Sequence, residues 1–390
     1  MFSASRFQLL LQGLPRGVFD RHVAQANANK HSKGFSCWDQ LLAMLFAQFS
    51  GSTSLRTLEA GFNNQQRHHY HLNTGAIRRS TLADANAKRS VEPFQATVQW
   101  LMNQASRQLR RDVGELMYLL DSTSLTLKGR GFDSWTADSS TRNTQGMKVH
   151  LMIAAHTATP VWHSMTAANV NDIEQARRIE PEAGALYVFD KGYCDYSWWH
   201  QLDQQGARFV TRFKRNAALK VQEQRPIPPE DRDRVLNDQL VTFAYKHPGG
   251  GRKNLYTQPL RYVEIARPDH PTSLILATND LDSPASVIAQ HYQDRWQIEL
   301  FFKWIKQHLE IKRFLGQSEN AVKLQVLTAL IAYLLLALYK QRHGFKTSLW
   351  QVLAQVRVSL FSRPESDARV EAKRRCDQQD FQAKQPRLFG

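Results

Sequence analysis

Three acidic residues in this chain have the type and the flanks for metal-dependent chemistry on phosphates. Asp121 closes the apolar run LMYLLD, Asp190 closes ALYVFD, and Glu299 lies inside YQDRWQIELFFKWIK. Carboxylate oxygens are the ligands hard divalent cations prefer, and magnesium is held by one or two of them plus water and phosphate. Two such ions about 3.5–4 Å apart activate an attacking oxygen and stabilise a leaving one, the requirement of nucleotidyl transfer. Each residue also has a plainer use. Asp121 before Ser-Thr-Ser and Asp190 before Lys-Gly could be turn or cap residues. Glu299, near Arg295 and Lys303, could be half of a helix ion pair.

The segment around Glu299 narrows the choice. It reads Tyr292-x2-Arg295-x3-Glu299-x6-Lys306. On a continuous helix these four residues fall within an arc of about 60°. An apolar stripe of Ile298, Phe302, Ile305 and Leu309 lies on one side, with Trp296 and Leu300 on the other. A narrow polar ridge between two apolar stripes is not the pattern of a solvated face. Arg295 can grip a phosphate as a planar fork and Lys306 as a point charge. Tyr292 can donate a hydroxyl to phosphate or stack.

The elements that must position these groups are legible in the periodicity. ELMYLLD, KVHLMIAAHT and PVWHSMTAA read as three successive strands, NDIEQARRI as a helix with Asp172 as a possible cap, and ALYVFD as a fourth strand. YSWWHQLDQQG is a helix closed by Gly206, and RFVTRFK a fifth strand. This βββαβαβ order is that of the ribonuclease H-like fold, lacking only its final helix. That helix is delayed by residues 215–272, where segments such as LVTFAYK and LRYVEIA alternate between Pro- and Gly-rich turns. LILATND resumes the core, and a long helix opens at Ser283-Pro284, with the proline at its first position. Two strand-end aspartates can meet at one sheet edge, and a helix glutamate can pack over it.

Before residue 105 the chain reads as helical. CWDQLLAMLFAQFSG has a helical apolar rhythm stopped by Gly51, and SLRTLEAGF follows with Ser54 as a possible cap. A third helix opens near Ser80, and short helices with polar turns suit a helix-turn-helix-like module. Arg67, His68, His69, Arg78, Arg79, Lys88 and Arg89 form a basic cluster there. It serves either as a solvated face or in recognition of DNA.

Composition points the same way. The chain has 390 residues, 42% hydrophobic, and a formal net charge of +16. Such an excess favours a polyanionic partner, usually nucleic acid. Cys37, Cys194 and Cys376 are far apart and form no zinc or disulfide pattern, which suits a reducing cytosol. The N-terminus lacks a long apolar signal-like region. VLTALIAYLLLALY (326–339) is short for a membrane span and reads as a buried core helix. His150 and His156 read as core or edge histidines, and Lys148 and Lys191 as surface lysines near the predicted site.

The DSTSLTL, GMKVHLMIAA, VFDKGYCDYSWW and YQDRWQIELFFKWIK blocks resemble the catalytic domain of the YREK-signature group of DDE transposases, insertion sequence family 4. FSCWDQLLAMLFAQFSGSTSLRTLE resembles the helical leader of many of them. The resemblance implies an α/β fold: a ribonuclease H-like mixed-sheet catalytic core with a β-rich insertion and a helical N-terminal DNA-binding region. The expected divisions are 1–105 for that region, 106–214 with 273–345 for the core, 215–272 for the insertion, and 346–390 for a C-terminal helix and mobile basic tail. Asp121, Asp190 and Glu299 are then the catalytic, metal-binding triad, with two Mg²⁺ or Mn²⁺ ions per site. Tyr292, Arg295 and Lys306 become contacts to phosphates at the cleaved end, with Arg78, Arg79, Lys88 and Arg89 as further DNA contacts. The implied activity is cut-and-paste transposition by a bacterial, cytoplasmic, nucleoid-associated enzyme. Its partners are double-stranded DNA, as terminal inverted repeats and target, and a second copy of the chain on paired ends, with no membrane. Some relatives hold a flipped base with a tryptophan of the insertion; residues 215–279 here offer only Phe243, Tyr245, Tyr256 and Tyr262. The alternatives are a ribonuclease H-like nuclease or resolvase that does not join strands, and a catalytically silent DNA-binding relative.

Overall fold

The structure, a computed structural model, describes residues 4–30, 32–109, 115–245, 254–267, 270–309, 311 and 313–362. Cys376, the expected mobile tail beyond Ser362, and the turn at 246–253 lie outside the described residues. The strands are β1 (Met117–Thr126), β2 (Gly146–Ala154), β3 (Thr159–Ala167), β4 (Leu186–Phe189), β5 (Arg208–Arg212), β6 (Leu219–Gln224), β7 (Val235–Phe243), β8 (Leu260–Ile265) and β9 (Leu274–Thr278). The first seven helices are α1 (Arg6–Leu11), α2 (Arg16–Gln25), α3 (Cys37–Ser50), α4 (Leu55–Asn63), α5 (His69–Leu72), α6 (Arg79–Lys88) and α7 (Glu92–Leu109). They are followed by α8 (Asp133–Thr136), α9 (Asp172–Ala176), α10 (Tyr196–Gln204), α11 (Ala285–Asp294), α12 (Trp296–His308), α13 (Glu319–Arg342) and α14 (Leu349–Ser359).

The chain divides into two compact units, Met1–Leu101 with Ile305–Gly390, and Met102–Trp304. The second unit is built on a nine-stranded sheet of order β3-β2-β1-β4-β5-β9-β8-β7-β6. β1 pairs antiparallel with β2 and β2 with β3, while β4 runs parallel to β1 and β5 parallel to β4. These five strands carry the ribonuclease H-like order. β2 and β4 are buried almost throughout, as strands covered on both faces must be. Trp198, Trp199 and Leu202 of α10 pack with Tyr187, Phe189 and Phe209 into the core. At the start of β2 only glycine fits. Gly146 has φ +145°, and a Cβ there would meet the Leu125 carbonyl oxygen at 2.1 Å.

The expected insertion is β-rich, but it is continuous with the sheet. β9 pairs with β5, β8 with β9, β7 with β8 and β6 with β7, all antiparallel. Across β7 and β8 the Asp238 carboxylate accepts from Arg261 Nη2 at 2.7 Å and from its Nε at 2.8 Å, both side chains buried.

The first unit packs α13 against α3, α6, α14 and α1. α13 is long and apolar enough to cross a membrane, yet 89% of its most apolar window is buried inside the protein. The expected core-helix reading fits this environment. α13 packs among the N-terminal helices, in the compact unit that includes Ile305–Gly390, where the expected division grouped 273–345 with the core. Asn320 fastens it, donating to the Asn86 and Arg89 carbonyl oxygens at 2.8 Å each. The expected signals hold at α3, ended by Gly51 at φ +73°, and at α4, capped by Ser54.

Candidate active site

The parallel register of β1 on β4 ends at Leu120↔Phe189. The next residue on each strand is an aspartate, so Asp121 and Asp190 stand side by side where the ladder stops. β4 ends there, and Asp190 caps a short 3₁₀ turn, its Oδ1 accepting the Lys191 N–H at 2.5 Å. β1 does not end there. It runs on to Thr126, so Asp121 is a mid-strand residue rather than the strand end expected from the apolar run. The alternating STSLT continuation suits a half-exposed strand, and its partner there is β2.

Glu299 lies in the first turn of α12. The expected single helix is two, α11 and α12, interrupted at Arg295. Pro284 is the cap of α11 rather than its first residue. At the break the Arg295 N–H reaches the Tyr292 carbonyl oxygen at 3.3 Å, a tightened turn outside the regular ladder. The apolar stripe Ile298, Phe302, Ile305 and Leu309 is buried as expected. The opposite pair is not. Trp296 is 58% exposed and Leu300 51%.

Arg295 joins the acidic groups. Its Nη2 donates to Glu299 Oε1 at 2.7 Å, and its Nη1 lies 3.7 Å from Asp121 Oδ2. The side chain is 14% exposed, and its Nε is buried without a partner among the described residues. The guanidinium also lies 5.6 Å from the Tyr292 ring. Tyr292 is buried, its hydroxyl hydrogen-bonded to Arg212 and its titration raised chiefly by burial. Burial pushes the Asp121 carboxyl up to about 6. The Ser122 N–H at 2.8 Å and Arg295 oppose that shift, while the charges of Glu299 and Asp190 add to it. Glu299 and Asp190 therefore both lie within electrostatic reach of Asp121. As they stand, no three or more His, Cys, Asp or Glu side chains among the described residues are close enough to hold an ion.

Several neighbours of this site had escaped the sequence reading. Tyr193, in the turn after Asp190, is 1% exposed and its hydroxyl is buried beside Ser122. Burial raises its titration, and Asp172, Asp121 and Asp190 raise it further. Asp172 is not the cap of α9; Asn171 is. Asp172 instead pairs with Lys148 at 3.1 Å and lies 3.6 Å from His150. Lys148 is thus committed within the protein rather than offered at the surface. His150 is buried, bonded to Thr166 Oγ1 at 2.9 Å, and burial holds its titration well below the usual range. The Asp190-Lys-Gly-Tyr run carried the signal for Tyr193; Arg212 and Asp172 had only their strand and helix ends to mark them.

A cleft of about 1010 Å³ opens beside Tyr292 and Arg295, between α11 and the ends of β7, β8 and β9. Arg234, Arg267 and His270 line it, and the large aromatic on its wall besides Tyr292 is Trp296. The insertion aromatics are placed otherwise, with Tyr256 buried and Tyr245 66% exposed. Lys306 lies further along α12, half-buried.

In the helical unit Arg78, Arg79 and Lys88 are exposed, and Lys88 pairs loosely with Asp84 at 3.6 Å. Arg89 is turned inward, over the Phe35 ring and bonded to the Phe35 carbonyl and Gln40. His69 is also inside, 3% exposed, bonded to the Phe62 carbonyl at 3.0 Å.

Comparison with known proteins bears on this geometry. Residues 114–335 match the family described as the transposase DDE domain, and residues 3–74 match a domain of unknown function. A Sinorhizobium fredii protein named as transposase y4zB is 44% identical over 65% of this chain and 69% of its own length. A Synechocystis protein named as a transposase for insertion sequence element IS4SA is 27% identical over 66% of this chain and 71% of its own length. Among solved structures, the piggyBac transposase synaptic complex with hairpin DNA aligns with 92% of this chain and 80% of that one, at TM-score 0.51 and 11% identity. At that identity the likeness bears on the fold alone.

Proposed function

The chain belongs to the transposase DDE domain family, and on that premise we propose that Asp121, Asp190 and Glu299 are its metal-binding triad. It is a transposase of an insertion sequence. The proposed reaction is cut-and-paste: strand cleavage at the transposon ends, then transfer of those ends into target DNA by a pair of protomers. The observation that carries the reading is that Glu299 and Asp121 share the Arg295 guanidinium, while the β1–β4 register sets Asp190 beside Asp121.

The donor set fits the ions. It is all oxygen and all carboxylate, the chemistry of Mg²⁺ or Mn²⁺ sites rather than of zinc. Burial and two neighbouring negative charges hold Asp121 partly protonated near pH 6, and a divalent cation relieves that strain. Bound there, two ions supply activation of the attacking oxygen and stabilisation of the leaving one. The protein's own part is position. The β1–β4 register sets the two aspartates together, α12 brings Glu299 to them, and Arg295 and Lys306 are cations for the DNA phosphates. Trp296 stands open on the cleft beside Arg295, where an unpaired base could stack.

Asp121→Asn, Asp190→Asn and Glu299→Gln should each abolish Mg²⁺-dependent cleavage of end DNA, while binding of that DNA in a gel shift stays near wild type. Phosphate contacts dominate DNA affinity, so removal of a metal ligand should spare it. Cleavage that survives in Asp121→Asn removes it from the triad.

A further inference from the structure

We propose that Arg295 is the internal counter-cation of the carboxylate site, releasing Asp121 and Glu299 to metal when a DNA phosphate takes its guanidinium. This rests on the reading of those residues as metal ligands. The guanidinium spans Glu299 at 2.7 Å and Asp121 at 3.7 Å. It is only 14% exposed, an environment where a charge persists only if it is paired. Among the described residues no three acidic, His or Cys side chains, these two carboxylates included, are grouped closely enough to enclose an ion. A cation already stands between two of them.

The same side chain is incompletely satisfied. Its Nε is buried and unpartnered among the described residues, although each end nitrogen faces a carboxylate. A buried unpaired donor on a charged group is costly, and an incoming oxygen acceptor would satisfy it. A planar fork takes phosphate in two bonds. The Tyr292 ring under the guanidinium, with its hydroxyl on Arg212, holds one side of that fork. Arg295 also lies at the junction of α11 and α12, where its N–H makes a long 3.3 Å bond to the Tyr292 carbonyl oxygen. Cohabitation of the fork with two divalent ions would set like charges against each other, so exchange is favoured. By linkage, DNA and metal should then strengthen each other's binding by the same factor.

The test is equilibrium Mn²⁺ binding to the full chain, read as free Mn²⁺ by electron paramagnetic resonance. Wild type, Arg295→Gln, Arg295→Lys and Glu299→Gln are compared, with folding checked by circular dichroism. Without DNA, Arg295→Gln should bind Mn²⁺ about tenfold or more tightly than wild type, the equivalent of one charge-assisted hydrogen bond no longer surrendered. Arg295→Lys, a weaker partner for two carboxylates, should fall between them and decides the matter if Arg295→Gln does not fold. An excess of a short random-sequence duplex should tighten Mn²⁺ binding by wild type and leave Arg295→Gln unchanged. Glu299-dependent binding that is equal or weaker in both Arg295 variants overturns the exchange while leaving the triad intact. So does a duplex that shifts wild type and variant alike, or neither. Mn²⁺ binding indifferent to Glu299→Gln overturns the triad reading and the exchange together.

Discussion

At the residue scale, the site and its surroundings titrate in opposite directions. Asp121 is raised from 3.8 to about 6, so its contribution to stability is full below pH 3.8 and is lost as pH rises through 6. His163 on β3 behaves the other way. Burial lowers it from 6.5 to about 4, and its Nδ1 is enclosed without a partner among the described residues. Its contribution is full above pH 6.5 and is lost as pH falls through 4. His150 is lowered in the same sense. Between pH 7 and pH 5 a histidine lowered to about 4 costs about 2 kcal/mol, while Asp121 offsets about 1 kcal/mol. Two histidines therefore outweigh one aspartate, and the metal-free protein should lose stability in mild acid. Urea melts at pH 7 and pH 5 check this. His163→Leu should flatten the difference by about 2 kcal/mol. Asp121→Asn should steepen it and stabilise the protein at pH 8, by an amount on the order of 3 kcal/mol. Stability unchanged between the two pH values would show that these groups are not held as described.

At the element scale, the sequence carried the strands and the two aspartates but not the details that join them. Apolar runs ending in Asp121 and Asp190 were visible, because strand interiors demand β-branched and aromatic residues. The pairing that sets the two aspartates abreast was not, since register is a long-range property. The break at Arg295 had no local signal either. QDRWQI contains neither Pro nor Gly, and the interruption coincides with the side chain that two carboxylates share. No local feature of the sequence marks Asp238 and Arg261 as partners either. The structure encloses both, 4% and 3% exposed, in a two-bond pair across β7 and β8. Removing one partner of such a pair leaves an unpaired buried charge and costs about 3–5 kcal/mol. Arg261→Ala should therefore destabilise the sheet unit by that much in a denaturant melt, and Asp238→Leu with Arg261→Met should recover most of it. A destabilisation below about 1 kcal/mol for Arg261→Ala would mean that water reaches the pair.

At the scale of the whole molecule, the +16 charge was the first sign of a DNA partner, but sequence alone could not say which cations remain available to it. The basic cluster of the N-terminal region falls into two kinds. Arg78, Arg79 and Lys88 are exposed, whereas Arg89 engages its guanidinium with Phe35 and Gln40, and α13 is tied to its carbonyl through Asn320. The apolar run 326–339 of α13 announced a core helix; it could not announce whose core, because that depends on segments far apart in sequence packing in one unit. The two kinds of cation should separate in a salt titration of end-DNA binding. Each duplex phosphate that a variant no longer neutralises lowers the slope of log affinity against log salt by about 0.9. If Arg78, Arg79 and Lys88 face the phosphates, their combined replacement by alanine should reduce the slope by about 2.7, with the melting temperature little changed. Lys306→Ala should reduce it by about 0.9, and cleavage with it. Arg89→Ala should do the reverse, lowering the melting temperature while leaving the slope of the folded protein near wild type, because its charge is already engaged inside. A triple variant with the wild-type slope would make the exposed cluster a solvated face, and would move the DNA-binding role of the N-terminal unit to other cations.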